Sequence, residues 1–357
     1  RVDYTTTGIE NEVSNTDIVD NGTFLSNYKL MPSIGYQARR ELSDARKREQ
    51  YGLPYRPRMA PLHPTCGHAC HNNYLSSDSD WVQIRSEIST TADQIAIAPG
   101  TLVREWQTEG RRHFEYRVDR PVLNFYSFIS GRYEVARRTW QPTQGRPVEM
   151  EVYYHPGHAY NIEKMLQSIE QSLDYYTTHF LPYPHTQARI IEFPRYANFA
   201  QAFPGTMPYS ESLGFIAQLN EPDAIDMVCY IVAHEMAHQW WAHQVIGAGV
   251  QGATMLSETF AQYSALMVMQ KRYGRDKMKQ FMRYEMDKYL RMRGSESEKE
   301  LPLMYNENQD YIHYRKGSAV MYALQEYSGE ERLNQALRRY AEAVAYQEPP
   351  YTHSREA

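Results

Sequence analysis

No run of eighteen apolar residues occurs anywhere in the 357-residue chain, so no segment reads as a membrane-spanning helix. Nor does a positively charged start followed by an apolar stretch mark a secretory signal. Lysine and arginine are never concentrated in a block, and the formal net charge is −5, which excludes an electrostatic design for nucleic acid. Internal repeats and low-complexity tracts are missing, which excludes solenoids and fibrous classes. Cysteine is scarce: three residues in a chain of this size do not make a disulfide scaffold. What remains is a long chain with 42% hydrophobic residues, enough for two domains with sizeable cores. It begins at Arg1, and residues 349–357 carry no finishing element, so it reads as a piece of a longer protein.

Two of the cysteines, Cys66 and Cys70, lie among His63, His68 and His71 in HPTCGHACH. The spacing is one residue too long for a haem-attachment motif, and no second ligand pair follows as in a zinc knuckle. A local disulfide or free thiols in a surface loop is the preferred reading. Cys229 is expected to be buried and inert.

Along the chain, residues 1–60 are polar and broken by turns. Asp20 to Thr23 reads as a hairpin turn, and Asn21 is formally a glycosylation acceptor. The charged run from Glu41 to Gln50 reads as a solvated helix or loop. From Trp81 the pattern has period two: Ile84, Ser86, Ile88; Ile95, Ile97; Phe114, Tyr116, Val118, with a turn at Thr108 to Arg111. Val122, Phe125, Phe128 and Ile129 predict further buried strands, and Tyr133 to Trp140 another. Helical spacing then takes over at Ile162, Met165, Leu166, Ile169, Leu173 and Tyr176. Strands are expected at Arg189 to Phe193 and Tyr209 to Ala217, and helices at Asp276–Arg293, Tyr314–Tyr327 and Glu330–Tyr346. The fold class is α+β, divided into a β domain over 1–140 and a mainly helical domain with a small sheet over 141–357.

The chemistry concentrates in VAHEMAHQWW (232–241) and SETFAQY (257–263). On a helix, His234 and His238 stand four apart on one face, one turn above the other, where two imidazoles can bind one Zn²⁺. Glu235, beside them, can reach a water held by such a metal. Met227, Val228 and Ile231 fit a buried helix, with Asn220 and Pro222 as its start. A third ligand is still needed. A third histidine six residues past His238 would make a metzincin, but that position is Gln244, and His243 is one short. Between Met236 and Ser257 there is no acid, so Glu258 is the first carboxylate available. It opens a second helical pattern at Phe260, Tyr263, Leu266 and Met267. Two histidines from one helix and a glutamate from the next is the gluzincin arrangement.

These residues resemble the zinc signature of the aminopeptidase-N-like peptidases. Tyr209 to Ile216 (YSESLGFI) is similar to that family's strand motif, matching at Glu211, Gly214 and Ile216. Tyr314-Arg-Lys-Gly317 resembles its Tyr-x-Lys-Gly segment. The nineteen residues 239–257 are one more than the family's usual spacing; Gly247, Gly249 and Gly252 in that loop can absorb it. The resemblance implies a thermolysin-like catalytic domain and a zinc aminopeptidase: His234, His238 and Glu258 as metal ligands, Glu235 and Tyr314 as catalytic groups, Glu211 as the anchor for a substrate's free amine. Tyr311 is the reserve for Tyr314 among 30 tyrosines. The variant HQWWAHQV is similar to a bacterial branch in which such a peptidase follows a transporter-like membrane region. That implies peptide substrates and a membrane tether through segments absent from this chain. Two other functions stay open: a gluzincin endopeptidase, and a catalytically silent peptide-binding domain of a membrane protein.

Overall fold

The computed structural model describes residues 18–37, 40–219, 224–296 and 299–357. Its first half is built from short antiparallel sheets. Strand β1 (Thr23–Ser26) leads directly into a single helical turn, α1 (Asn27–Leu30), and the charged run, read as a solvated helix or loop, holds the short helix α2 (Ala45–Gln50). The strands β2 (Trp81–Val82), β3 (Arg85–Thr91), β4 (Ile95–Ile97), β5 (Thr101–Thr108), β6 (Arg111–Arg117), β7 (Val122–Leu123) and β8 (Ser127–Gly131) follow. They assort as β3-β6-β5, β1-β8-β4 and β2-β7. The expected turn at Thr108 to Arg111 closes the β5–β6 hairpin. Glu109 and Gly110 both have positive φ, 50° and 72°, the geometry whose twist suits a two-residue hairpin.

The turn expected at Asp20 to Thr23 does not form a hairpin. Thr23 pairs instead with Ser130, more than a hundred residues away. Asn21 is tied into the same region, accepting a bond of 2.7 Å from the Arg132 amide.

A second sheet has the order β12-β11-β10-β9, from β9 (Glu134–Trp140), β10 (Val148–Tyr154), β11 (Gln187–Phe193) and β12 (Thr206–Ser210). Strand β9 pairs antiparallel with β10 from Trp140↔Val148 to Glu134↔Tyr154, so this sheet spans the 140/141 division drawn from the sequence. Strands β10, β11 and β12 run parallel, and such strands need a long crossover. Between β10 and β11 it is α3 (Ile162–His179), whose six expected apolar positions are all buried. Both β11 and β12 are buried at every residue, as central parallel strands are. Strand β12 ends at Ser210 rather than at Ala217; residues 211–215 form turns, so Glu211 sits just past the strand and not within it.

The helical half adds α4 (Met227–Ala237), α5 (Phe260–Tyr273), α6 (Met278–Arg293), α7 (Gly317–Ser328) and α8 (Glu330–Val344). The largest core cluster joins the second sheet to α3, α4, α5 and α8. Residues 351–352, expected to lack structure, are buried, and Thr352 bridges to Gly247. Cys66 and Cys70 form a disulfide, with Cα atoms 5.7 Å apart. That realises the local-disulfide reading.

Candidate metal centre and its cleft

Helix α4 is hydrophobic almost all round, and among its residues only Met227 and Ile231 are not fully buried. Asn220 and Pro222, the expected start, lie outside the described residues. The helix is capped by Asp226, whose carboxylate accepts from the Cys229 amide at 3.0 Å. His238 is the C-cap residue, so α4 places one imidazole in its last turn and the other at its end. The loop that follows is pinned by Gly252: its φ is +86°, and a Cβ there would lie 2.1 Å from the Ser354 hydroxyl and 2.2 Å from the Met304 carbonyl. That loop delivers Glu258 on a π-helical turn (Met255–Thr259) at the head of α5. π-Turns often mark functional sites.

Three side chains converge. His234 Nε2 and His238 Nε2 are 3.0 Å apart, and Glu258 Oε2 is 3.3 Å from each. Ligand atoms about 2.0–2.1 Å from a tetrahedral zinc lie roughly 3.3 Å from one another, so the triangle has the size of one face of such a site. Glu258 Oε2 is buried yet makes no aligned hydrogen bond among the described residues, an orphan that a cation would satisfy. His238 Nδ1 donates to the Trp241 carbonyl at 3.0 Å, which leaves the Nε2 lone pair for a ligand. Burial depresses His238, but Glu258, helped by Glu235 and the Trp241 carbonyl, outweighs it and lifts the imidazole to about 9. Burial raises Glu258, and the two histidines overcome it and hold the carboxyl well below its usual range. Charge and geometry both fit a divalent ion bound by His234, His238 and Glu258.

Glu235 is buried beside them, and burial raises its pKa above the usual carboxylate range. Tyr314 lies on a second π-turn (Tyr311–Lys316). Its ring is 5.7 Å from that of His234. Burial first, then the Glu258 and Glu235 carboxylates, hold its phenol well above the usual range, so it remains a donor. Tyr311 is buried against Tyr289, and its hydroxyl has no hydrogen-bond partner among the described residues. The acids that act on it are Glu296 and Glu300 rather than Glu258, so of the two tyrosines it is Tyr314 that faces the site. The two π-turns are bolted together where the Thr259 hydroxyl donates to the His313 carbonyl at 2.7 Å. Gly317 is needed there: a Cβ would stand 2.5 Å from Thr259 Oγ1.

Glu211 is not brought into this group. Its carboxylate lies 3.5 Å from Arg195 Nε and 4.0 Å from His158 Nδ1. It shares a second polar cluster with His158 and the fully buried Glu192. Glu192 bonds the ring of His158 and accepts from the His155 amide at 2.6 Å; burial, only partly offset by these bonds, pushes it up to about 7.

Sequence reasoning also missed the support behind Tyr314. Glu285 on α6 is fully buried, accepts from Tyr230 at 3.0 Å and pairs with Arg315 at 2.9 Å. Tyr230 is one turn before His234 on α4, so a single carboxylate couples the histidine helix to the Tyr314 turn. A signal existed: Met278, Phe281 and Glu285 are the buried positions of α6, and an acid on an apolar stripe is anomalous.

Glu258 and Tyr314 open on a cleft of about 610 Å³. Among the described residues, no helix is long and apolar enough to cross a membrane.

This arrangement has counterparts. The chain is 25% identical to human endoplasmic reticulum aminopeptidase 2 over 56% of its length and 22% of that protein's. Aminopeptidase M1 of Arabidopsis thaliana is 28% identical, again over 56% of this chain and 23% of the relative. The chain therefore spans under a quarter of either curated relative. Among solved structures, an M1 zinc metallopeptidase from Deinococcus radiodurans superposes with a TM-score of 0.58 at 21% identity, covering 78% of this chain and 59% of that one. A variant of that enzyme bound to a Tyr-Ser-Ala substrate superposes at 0.56, with 22% identity over 75% and 58% of the two chains. At that identity the likeness speaks for the fold alone. Residues 160–352, more than half of the chain and the stretch that holds all three converging side chains, match the peptidase family M1 domain, and the chain belongs to that family.

Proposed function

We propose that the chain is the catalytic part of a zinc aminopeptidase, which removes single residues from the free N-terminus of peptides. The observation that carries this reading is the triangle of His234, His238 and Glu258, edged at 3.0–3.3 Å, with the buried Glu235 next to it. His234, His238 and Glu258 would hold the zinc, which would lower the pKa of a water from about 15.7 towards about 7 and polarise a carbonyl. Glu235 takes the proton and returns it to the leaving amine, and its raised pKa suits a group that must hold a proton between steps. Tyr314, kept protonated by its surroundings, donates to the carbonyl oxygen as negative charge develops there. Glu211 pairs with the substrate's α-ammonium, which fixes the cut after the first residue.

The test is Glu235→Gln. It should retain one zinc per chain and lose release of N-terminal residues; undiminished turnover would end the mechanism.

One observation favours an endopeptidase instead: Glu211 is already engaged by Arg195 and lies near His158. N-terminally acetylated peptides separate the two, because cleavage of blocked and free peptides at equal rates removes Glu211 as an amine anchor. The membrane association implied by the resemblance to the transporter-linked branch belongs to this proposal too, through segments outside this chain. Recovery of the full-length protein in the soluble fraction after lysis would refute it.

A further inference from the structure

The cleft beside Glu258 and Tyr314 is lined by eighteen residues, eight of them aromatic, against 13% aromatic residues in the chain as a whole. Its volume of about 610 Å³ lies in the range of roughly 300–1,000 Å³ usual for small-ligand sites. The rings brace one another. Phe125 and Phe203 have centroids 4.5 Å apart, Tyr28 and Phe125 5.5 Å, Phe24 and Phe199 6.0 Å. Phe24, Phe125 and Phe203 are buried in this wall, while Phe199 is 38% exposed. Such a surface is already assembled, so a guest ring gains apolar burial and edge contacts without first ordering the wall. Besides Glu258, the charged lining residues are Lys29 and Asp310, of opposite sign, and they favour neither an acidic nor a basic guest.

The position of this wall decides which substrate residue meets it. An N-terminal residue carries its ammonium and its side chain on one Cα, so the group that holds the first must neighbour the surface that meets the second. The loop 194–199 links the two, touching Glu211 on one side and lining the cleft on the other. Its Arg195 lies against Glu211, and its Tyr196 and Phe199 line the cleft. The loop is held by the end of β12, just before Glu211: Ser210 donates from its amide to the Phe199 carbonyl at 3.0 Å and from its hydroxyl to the Ala197 carbonyl at 2.7 Å. Glu211 itself donates its amide to the Phe193 carbonyl at 2.9 Å.

We infer that this cleft selects peptides whose N-terminal residue is aromatic, with Phe199 and Tyr196 as the residues that determine the preference. The inference rests on the aminopeptidase reading above and names the substrate class of that same site.

The experiment uses the zinc-loaded chain with phenylalanyl and alanyl amides of 7-amino-4-methylcoumarin. The expected ratio of kcat/KM, phenylalanyl over alanyl, is about tenfold or more, and Phe199→Ala and Tyr196→Ala should each lower it by about tenfold, the scale of apolar discrimination in a pocket. Phe199 is part-exposed, so its truncation leaves the core intact, and Tyr196→Ala is the second, independent variant. A wild-type ratio near one, or a ratio unmoved in both variants, overturns the inference. If neither amide is cut, the aminopeptidase reading fails, and binding alone decides the cleft. Zinc-loaded Glu235→Gln should bind phenylalanine hydroxamate about tenfold more tightly than alanine hydroxamate, and equal affinities overturn the inference in that case as well.

Discussion

Glu285→Ala is the perturbation that asks most of this structure, because the carboxylate touches no expected substrate and yet joins three elements. Its removal leaves the Arg315 guanidinium without its anion and the buried Tyr230 hydroxyl without its acceptor. Removing one partner of a buried ion pair costs about 3–5 kcal/mol, and an orphaned buried hydroxyl about 1–3 kcal/mol. The two costs overlap, and Arg315 keeps 24% exposure, which lets water repay part of the first. About 4 kcal/mol is therefore expected. At roughly 2.1 cal/mol/K of unfolding entropy per residue, a chain of this length loses about 5 °C in Tm. Glu285→Gln keeps an acceptor for Tyr230 and loses only the charge, so about 2 °C is expected. Replacing both charges, as Glu285→Leu with Arg315→Met, should recover much of the loss, since apolar substitutes for a buried pair are often neutral. The measurement is a thermal melt of the zinc-saturated protein, with kcat read in parallel. Because Arg315 follows Tyr314 in one π-turn, kcat should fall more than KM changes. A loss of less than about 1 °C in Glu285→Ala would refute the argument.

Three further expectations follow. Tyr314→Phe should retain zinc and lower kcat by roughly 10²–10³-fold, the cost of one oxyanion donor; full activity would transfer that role elsewhere. Gly317→Ala should push α7 away from Thr259, break its bond to His313 and lower kcat with the metal still bound, as measured by turnover and zinc content together. The response to acid should split by residue. Burial depresses His185 to about 3 and His243 to about 4, so their contribution is intact above their ordinary value near 6.5 and is lost below it, about 2 kcal/mol each by pH 5. Glu192, raised by burial to about 7, has the opposite sign: its stability is present in acid and lost as pH rises from about 4.5 to 7, and acidification from pH 7 to 5 returns about 2–3 kcal/mol. In melts at pH 7 and pH 5, His243→Gln should make the protein less sensitive to acid and Glu192→Gln more so; identical responses would refute both signs.

What could be read beforehand follows the range over which each constraint acts. The i, i+4 spacing of His234 and His238 is set by one helical turn, and so is the stripe of α3, so both were legible from a dozen residues. The Thr108–Arg111 turn was legible because two residues alone decide it. The pairing of β1 with β8 was not: Asp20-Asn-Gly carries a local turn signal, but the partner strand is supplied by a contact across a hundred residues, and tertiary pairing wins over local propensity. The same distinction divides the site. His234 and His238, on one helix, were found by spacing and Tyr314 by the resemblance of its short segment to Tyr-x-Lys-Gly, whereas Glu285, Glu192 and His158 acquire their roles only where distant segments meet. Yet each of the two acids left a trace, for Glu192 lies in a strand buried at every position and Glu285 on an apolar helix stripe. An ionisable residue where the pattern demands an apolar one must find a partner or a proton, because an isolated buried charge is too costly to persist. Such misfits in the hydrophobic pattern therefore point to convergence that spacing cannot express.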